Sequence, residues 1–173
     1  MMKLRHTELS IPAGPIWLEA LQAHAPDSAG LIIVAQTAVG NHRESREAHF
    51  VHRLQEAGYS TLLFDLLTRY EEARDPDVRF NTPLLGQRLN VLFEWLRHQP
   101  PLIELPIGLV ASGTGCAAAV RALVEGQQGI MVALDPPNVN YVPLEEATRR
   151  MKSVPLDSDT VFTARDLGIC LGD

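Results

Sequence analysis

Hydrophobic residues along the chain fall into two textures. Continuous apolar runs at residues 30–35, 60–64 and 107–110 show no polar alternation, as strands buried on both faces of a parallel sheet require. Helical periods separate them. Over residues 46–57, Phe50, Val51, Leu54 and Ala57 recur at helical spacing. His49, His52, Arg53 and Glu56 face away, and Gly58 stands as a stop. Thr82 and Pro83 read as the cap and first turn of a second helix. Its buried stripe is Leu85, Leu89, Leu92, Phe93 and Leu96, and Pro100-Pro101 ends it. An Ala-rich helix is expected over 116–125. At the front, residues 4–10 and 16–23 read as strands about the break Pro12-Ala13-Gly14-Pro15. Residues 67–81 are charged and carry no clear period. A surface loop is expected there, with Glu71, Glu72, Asp75 and Asp77 solvated.

The texture changes near residue 128. A strand is predicted over 130–134, a turn at Asp135-Pro136-Pro137-Asn138 and a second strand over 139–142. A short helix follows over 143–151, with Glu145 and Glu146 in its first turn and Arg149 and Arg150 in its last, matching the helix dipole. Asp157-Ser158 caps a final helix that stops at Gly168. The predicted fold is α/β: a mostly parallel sheet with helices on both faces, ending in a β-hairpin and two short helices.

Composition narrows the setting. One domain over 1–173 is expected, with room for a real core. A net charge of −6 and the lack of a basic block argue against nucleic-acid or anionic-membrane partners. No apolar run approaches the roughly 20 residues of a membrane span. The first residues hold no apolar signal core, and two cysteines, Cys116 and Cys170, make no disulfide framework, so a cytoplasmic setting is expected.

Candidate chemistry gathers at Val110-Ala111-Ser112-Gly113-Thr114-Gly115, a small-residue turn between a strand and a helix. Ser112 is the candidate nucleophile. Backbone N–H groups of Thr37 and Ala38, together with Gly113, Thr114 and Gly115, are the candidate oxyanion or anion donors. The candidate bases His24, His42, His49 and His52 all precede Ser112, and the last histidine is His98. Cys116 lies near a helix start, where a thiolate is favoured, but a buried inert thiol is the better reading. The stretch Gly113-Thr114-Gly115-Cys116-Ala117-Ala118 also fits G-x-G-x-x-A, and Asp135 follows about 20 residues later, the spacing of a dinucleotide fingerprint. His42, Glu47, His49 and His52 lack metal-site spacing, so no metal is expected. No cofactor is expected either. Asp65 ends a central strand, where it either orients a ligand or bonds nearby backbone. Trp17 and Trp95 read as packing residues.

Several stretches resemble the dienelactone-hydrolase branch of the α/β-hydrolases over residues 1–120. They are 55–68 (QEAGYSTLLFDLLT), Pro83-Leu84-Leu85, Trp95-Leu96-Arg97, and Leu105-Pro106-Ile107-Gly108 leading into the turn. The resemblance implies a Ser- or Cys-centred triad in the order nucleophile, acid, histidine. The chain departs from it at the catalytic positions. Where the family carries a His-Gly-Ser-Gly-type loop, it reads Gln36-Thr37-Ala38-Val39. Where the family reads Gly-Ala-Ser-Thr-Gly, ungapped alignment puts Gly113 at the nucleophile position and Ser112 one place early. No histidine follows.

The tail, 128–173, is similar to something else. Residues 129–134, 143–147, 150–152, 154–159 and 163–168 resemble the C-terminal segment of bacterial 6-phosphofructokinases. The expected chain is composite, a truncated α/β-hydrolase-like part over 1–120 and a phosphofructokinase-like part over 128–173, with a seam between 117 and 128. The expected function is a degenerate hydrolase scaffold. A residual serine hydrolase on small esters or lactones, and a nucleotide or phosphate binder at Gly113 to Ala118, are the alternatives. A small ester, lactone or phosphate is the expected ligand, and an exposed sheet edge the expected route to a homo-oligomer.

Overall fold

The computed structural model describes residues 3–37, 46–112, 114–124, 130–135 and 161–163. His49, Ser112, Cys116 and the last two of these strands are described by backbone alone. The chain opens with a hairpin of β1 (Arg5–Ala13) and β2 (Ile16–His24), paired from Arg5↔His24 to Ala13↔Ile16. The two-residue turn Gly14-Pro15 needs a positive φ, and Gly14 supplies it at 64°. Four parallel strands follow: β3 (Leu31–Gln36), β4 (Ser60–Asp65), β5 (Ile107–Ser112) and β6 (Ile130–Asp135). A short β7 (Val161–Thr163) runs parallel to β6. The sheet order is β1-β2-β4-β3-β5-β6-β7, with β2 antiparallel to β4.

Every residue of β3 and β4 is buried, because helices cover both faces of the sheet. Helix α1 (Arg46–Glu56) lies on one face against β3 and β4, bringing Phe50, Val51 and Leu54 into the core. The Gly58 stop is as expected: its φ is 100°, its N–H donates to Gln55 O, and the Tyr59 N–H donates to Leu54 O, the double bond that closes a glycine-terminated helix. On the other face, α3 (Thr82–Leu96) packs on α5 (Gly115–Val124). Leu85, Leu89, Leu92, Phe93 and Leu96 join Ile11, Leu18, Ile33, Phe64 and Leu109 in one cluster. Each such side chain contributes roughly 1.5–3 kcal/mol by leaving water.

Four sequence readings are corrected. Residues 67–81 are not an irregular loop: they hold α2 (Arg69–Arg74) and a 3₁₀ helix, Pro76–Phe80. The signal was local rather than periodic. Thr68 accepts from the Glu71 N–H while the Glu71 carboxylate accepts from the Thr68 N–H, a capping box that starts a helix with no buried residue. The cap of α3 is Asn81, one place before Thr82, and its side chain accepts from the Leu84 N–H. Pro100-Pro101 opens a further turn, α4 (Pro100–Ile103), since proline suits the first helical positions. Residues 161–163, assigned to a final helix, pair as β7 instead, where Val161 and Phe162 extend the sheet. The predicted strand over 139–142, the helix over 143–151 and the Gly168 stop lie outside the described residues.

Candidate functional site

Each of the four longer parallel strands ends in a polar residue, and all four ends share one sheet edge: Gln36 on β3, Asp65 on β4, Ser112 on β5 and Asp135 on β6. Gln36 faces Asp65, Ala35 faces Ala111 and Ser112 faces Asp135 in register. The carboxyl edge of parallel strands is where α/β sheets place their ligands. Gln36 and Asp65 are almost fully buried, and the Gln36 Nε2–H donates to Asp65 Oδ1. Asp65 thus has a side-chain partner that its sequence position did not reveal.

The strand–turn–helix at Ser112 forms as read, with β5 ending at Ser112 and α5 beginning at Gly115. Thr37 comes to the same place. A methyl group on Gly115 would sit 3.7 Å from Thr37 Cγ2 and 3.8 Å from the Ala35 carbonyl oxygen, in ordinary van der Waals contact, so the helix start lies beside the end of β3. The Thr114 Oγ1 is buried without a hydrogen-bond partner among the described residues. Ala38 and Gly113 lie outside the described residues.

Of the candidate bases, His24 and His52 have described side chains, and neither is placed at this turn. The His24 Nδ1 is 3.3 Å from the Ser60 Oγ. Ser60 begins β4, whereas Ser112 ends β5, so at about 3.3 Å per residue the two positions lie roughly a full strand length apart. His52 is exposed on α1 and lines a cavity of about 490 Å³ with His6, Glu8, Gln22 and Leu63, over the middle of β2 and β4. His98 follows α3, with its Nε2 3.5 Å from Glu94 Oε1. His42 lies outside the described residues, and the backbone of His49 is on α1. Among the described residues, no group of three or more His, Cys, Asp or Glu is placed to share a metal.

Two further residues support this edge, and sequence reasoning missed both roles. Arg88 of α3 is buried. Its Nη1 donates to the Leu66 carbonyl and to Glu71 Oε1 at 3.1 Å each, and its Nη2 donates to Glu71 Oε2 at 2.7 Å. Glu71 is therefore not a solvated loop acid. Burial pushes its carboxyl up, but the Arg88 and Thr68 hydrogen bonds outweigh that and hold it below the usual carboxylate range. A smaller pocket of about 160 Å³ opens beside Asp65, lined by Trp17, Glu19, Leu67, Thr68 and Arg69. Trp17, read as a packing residue, is 62% exposed at its rim, because β2 turns it to the face opposite α3; Trp95 does pack against the core.

Comparison with known proteins fixes the fold. The chain superposes on a dienelactone hydrolase from Anabaena variabilis with a TM-score of 0.68 at 23% identity, covering 92% of this chain and 85% of that one. Est1E from Butyrivibrio proteoclasticus gives 0.59 at 16% identity, over 75% and 51% of the two chains. The architecture is that of an α/β-hydrolase. In sequence, a putative phosphoribosyl transferase from Mycobacterium tuberculosis is 33% identical over 122 residues, which is 70% of this chain and 27% of that protein. An ATP-dependent 6-phosphofructokinase from Chloroflexus aurantiacus is 47% identical over 57 residues, 33% of this chain and 16% of the kinase. The chain thus spans about a quarter, or less, of the length of these curated relatives. No family profile matches it. Among the described residues, no helix is long and apolar enough to cross a membrane.

Proposed function

We propose that this chain is an α/β-hydrolase scaffold without efficient hydrolase activity, composed of a hydrolase-like part over 1–120 and a phosphofructokinase-like tail over 128–173, and working in the cytoplasm. The observation that carries the reading is the place of His24, whose ring nitrogen faces Ser60 at the far end of the sheet from Ser112. A serine hydroxyl is a weak nucleophile until a base activates it, and His24 is not placed to do so. The composite reading is supported by the two sequence likenesses, one covering 70% of the chain and the other 33%. Steady-state hydrolysis of p-nitrophenyl acetate and of small lactones tests the proposal. The expected rate equals that of the buffer and is unchanged in Ser112→Ala. Sustained turnover that Ser112→Ala abolishes overturns it in favour of a residual serine hydrolase.

A second reading has one observation in its favour. Asp135 ends β6 directly beside Ser112 on β5, and α5 joins the two strands, which is the strand–helix–strand setting that the G-x-G-x-x-A spacing requires. Thermal stabilisation by NAD or ATP that Asp135→Ala removes would establish nucleotide binding at this turn.

A further inference from the structure

The sheet end remote from Ser112 holds a chain of hydroxyls that the scaffold reading leaves without a role. Ser60 is fully buried at the start of β4. Its Oγ accepts from the Ala25 N–H at 3.0 Å, lies 2.7 Å from Ser28 Oγ and 3.3 Å from His24 Nδ1, with the Ala25 carbonyl oxygen at 3.4 Å. Ser28 and His24 are both partly exposed. A hydroxyl has one proton and two lone pairs. The Ala25 N–H occupies one lone pair. If Ser28 donates into the other, the Ser60 proton has two acceptors in reach, the Ala25 carbonyl oxygen at 3.4 Å and His24 Nδ1 at 3.3 Å; turned to the imidazole, the chain reads Ser28 O–H to Ser60 O–H to His24 Nδ1. The turn at residues 25–28 is already tied by the Ala25 N–H to Ser60 Oγ, by the Ser28 N–H to the Ala25 carbonyl at 3.1 Å and by the Ala29 N–H to the Gly58 carbonyl at 2.9 Å. A second, partly exposed hydroxyl at 2.7 Å and a ring nitrogen beyond it are more than these ties need.

We propose that Ser28 is an acyl-accepting hydroxyl, activated by His24 through Ser60, for small activated esters. The Ser28 Oγ bonds to the ester carbonyl carbon and the bond from that carbon to the leaving oxygen breaks. The Ser28 proton passes to Ser60 as the Ser60 proton passes to His24 Nδ1, and the imidazolium returns that proton to the leaving alkoxide or phenoxide. The products are Ser28 acyl ester and free alcohol. The step requires no oxidant or metal. It is stoichiometric, so a burst without turnover leaves the scaffold proposal standing, and sustained turnover overturns that proposal without touching this one.

The test treats the intact chain with p-nitrophenyl acetate and maps acetylated peptides by mass spectrometry. The acetyl group is expected on Ser28, with a burst of at most one equivalent of p-nitrophenol. His24→Ala is expected to slow the labelling about a hundredfold, and imidazole added to that variant to restore part of the rate, a rescue that a purely structural histidine would not show. His24→Gln, whose amide also reaches Ser60, serves if His24→Ala does not fold. Acetylation confined to lysines or Ser112, or Ser28 labelling at an unchanged rate without the imidazole, overturns the proposal.

Discussion

Arg88 reaches across from α3 to grip both carboxylate oxygens of Glu71, and the same guanidinium caps the Leu66 carbonyl just beyond β4. With side-chain exposures of 10% and 19%, this pair is largely withdrawn from water. Arg88→Met strands the Glu71 carboxylate and the carbonyl together. A loss of about 2–3 kcal/mol is expected in urea unfolding. Glu71→Gln in the Arg88→Met background costs much less than in the parent, because the partner is already gone; additive losses would show that the two do not act as a pair.

The same contact sets a pH dependence. The folded carboxyl of Glu71 titrates below the usual carboxylate range. Its contribution is therefore fully present above the unfolded-state value and is lost as pH falls through the folded one. Acid unfolding of Glu71→Gln is expected to lack this part of the slope, while the two proteins differ by a constant near neutrality. Parallel acid limbs in the two proteins would refute it.

Gly86 sits where α3 meets α5. A Cβ there would lie 2.8 Å from Arg121 Cδ and 3.3 Å from Arg121 Cβ. Alanine normally gains up to about 1 kcal/mol over glycine inside a helix. Gly86→Ala is expected to show none of that gain in the parent and to recover much of it beside Arg121→Ala. A thermal-melt double-mutant cycle measures the difference, and equal effects in both backgrounds would mean that Arg121 simply swings aside.

Strand β1 closes the sheet order and pairs on one side through β2. We expect this nine-residue edge to associate with a second copy. Sedimentation should show a concentration-dependent dimer that Leu9→Lys shifts toward monomer. A single monomeric species at high concentration would count against the edge as an interface.

How far the sequence revealed the fold depended on the kind of signal. The runs that became β3, β4 and β5 were plain, because a strand covered on both faces is apolar throughout. The stripe of α3 was also plain, but Arg88 interrupts it three residues after Leu85. A charge on an apolar stripe is itself a signal of a buried partner, here Glu71 in the segment 67–81. That segment was misread because α2 buries nothing and so has no hydrophobic period; its readable marks were the caps, Thr68-x-x-Glu71 before α2 and Asp75-Pro76 at the 3₁₀ helix. At the site, the turn between β5 and α5 follows from small residues at the right spacing. The separation of His24 from Ser112 was not readable, since it depends on which end of the sheet each strand presents.

The central strands carry a hidden difficulty. β3 and β4 are greasy on both sides, so sliding one past the other by a residue would bury nearly the same surface, and oiliness alone does not choose the alignment. The polar ends choose it. Gln36 meets Asp65 at one terminus of β4, which sets β3 against β4, and at the other Ser60 takes the Ala25 amide, which sets β4 against the end of β2. Two small detents, one at each end of a six-residue strand, hold β4 against its neighbour on either side.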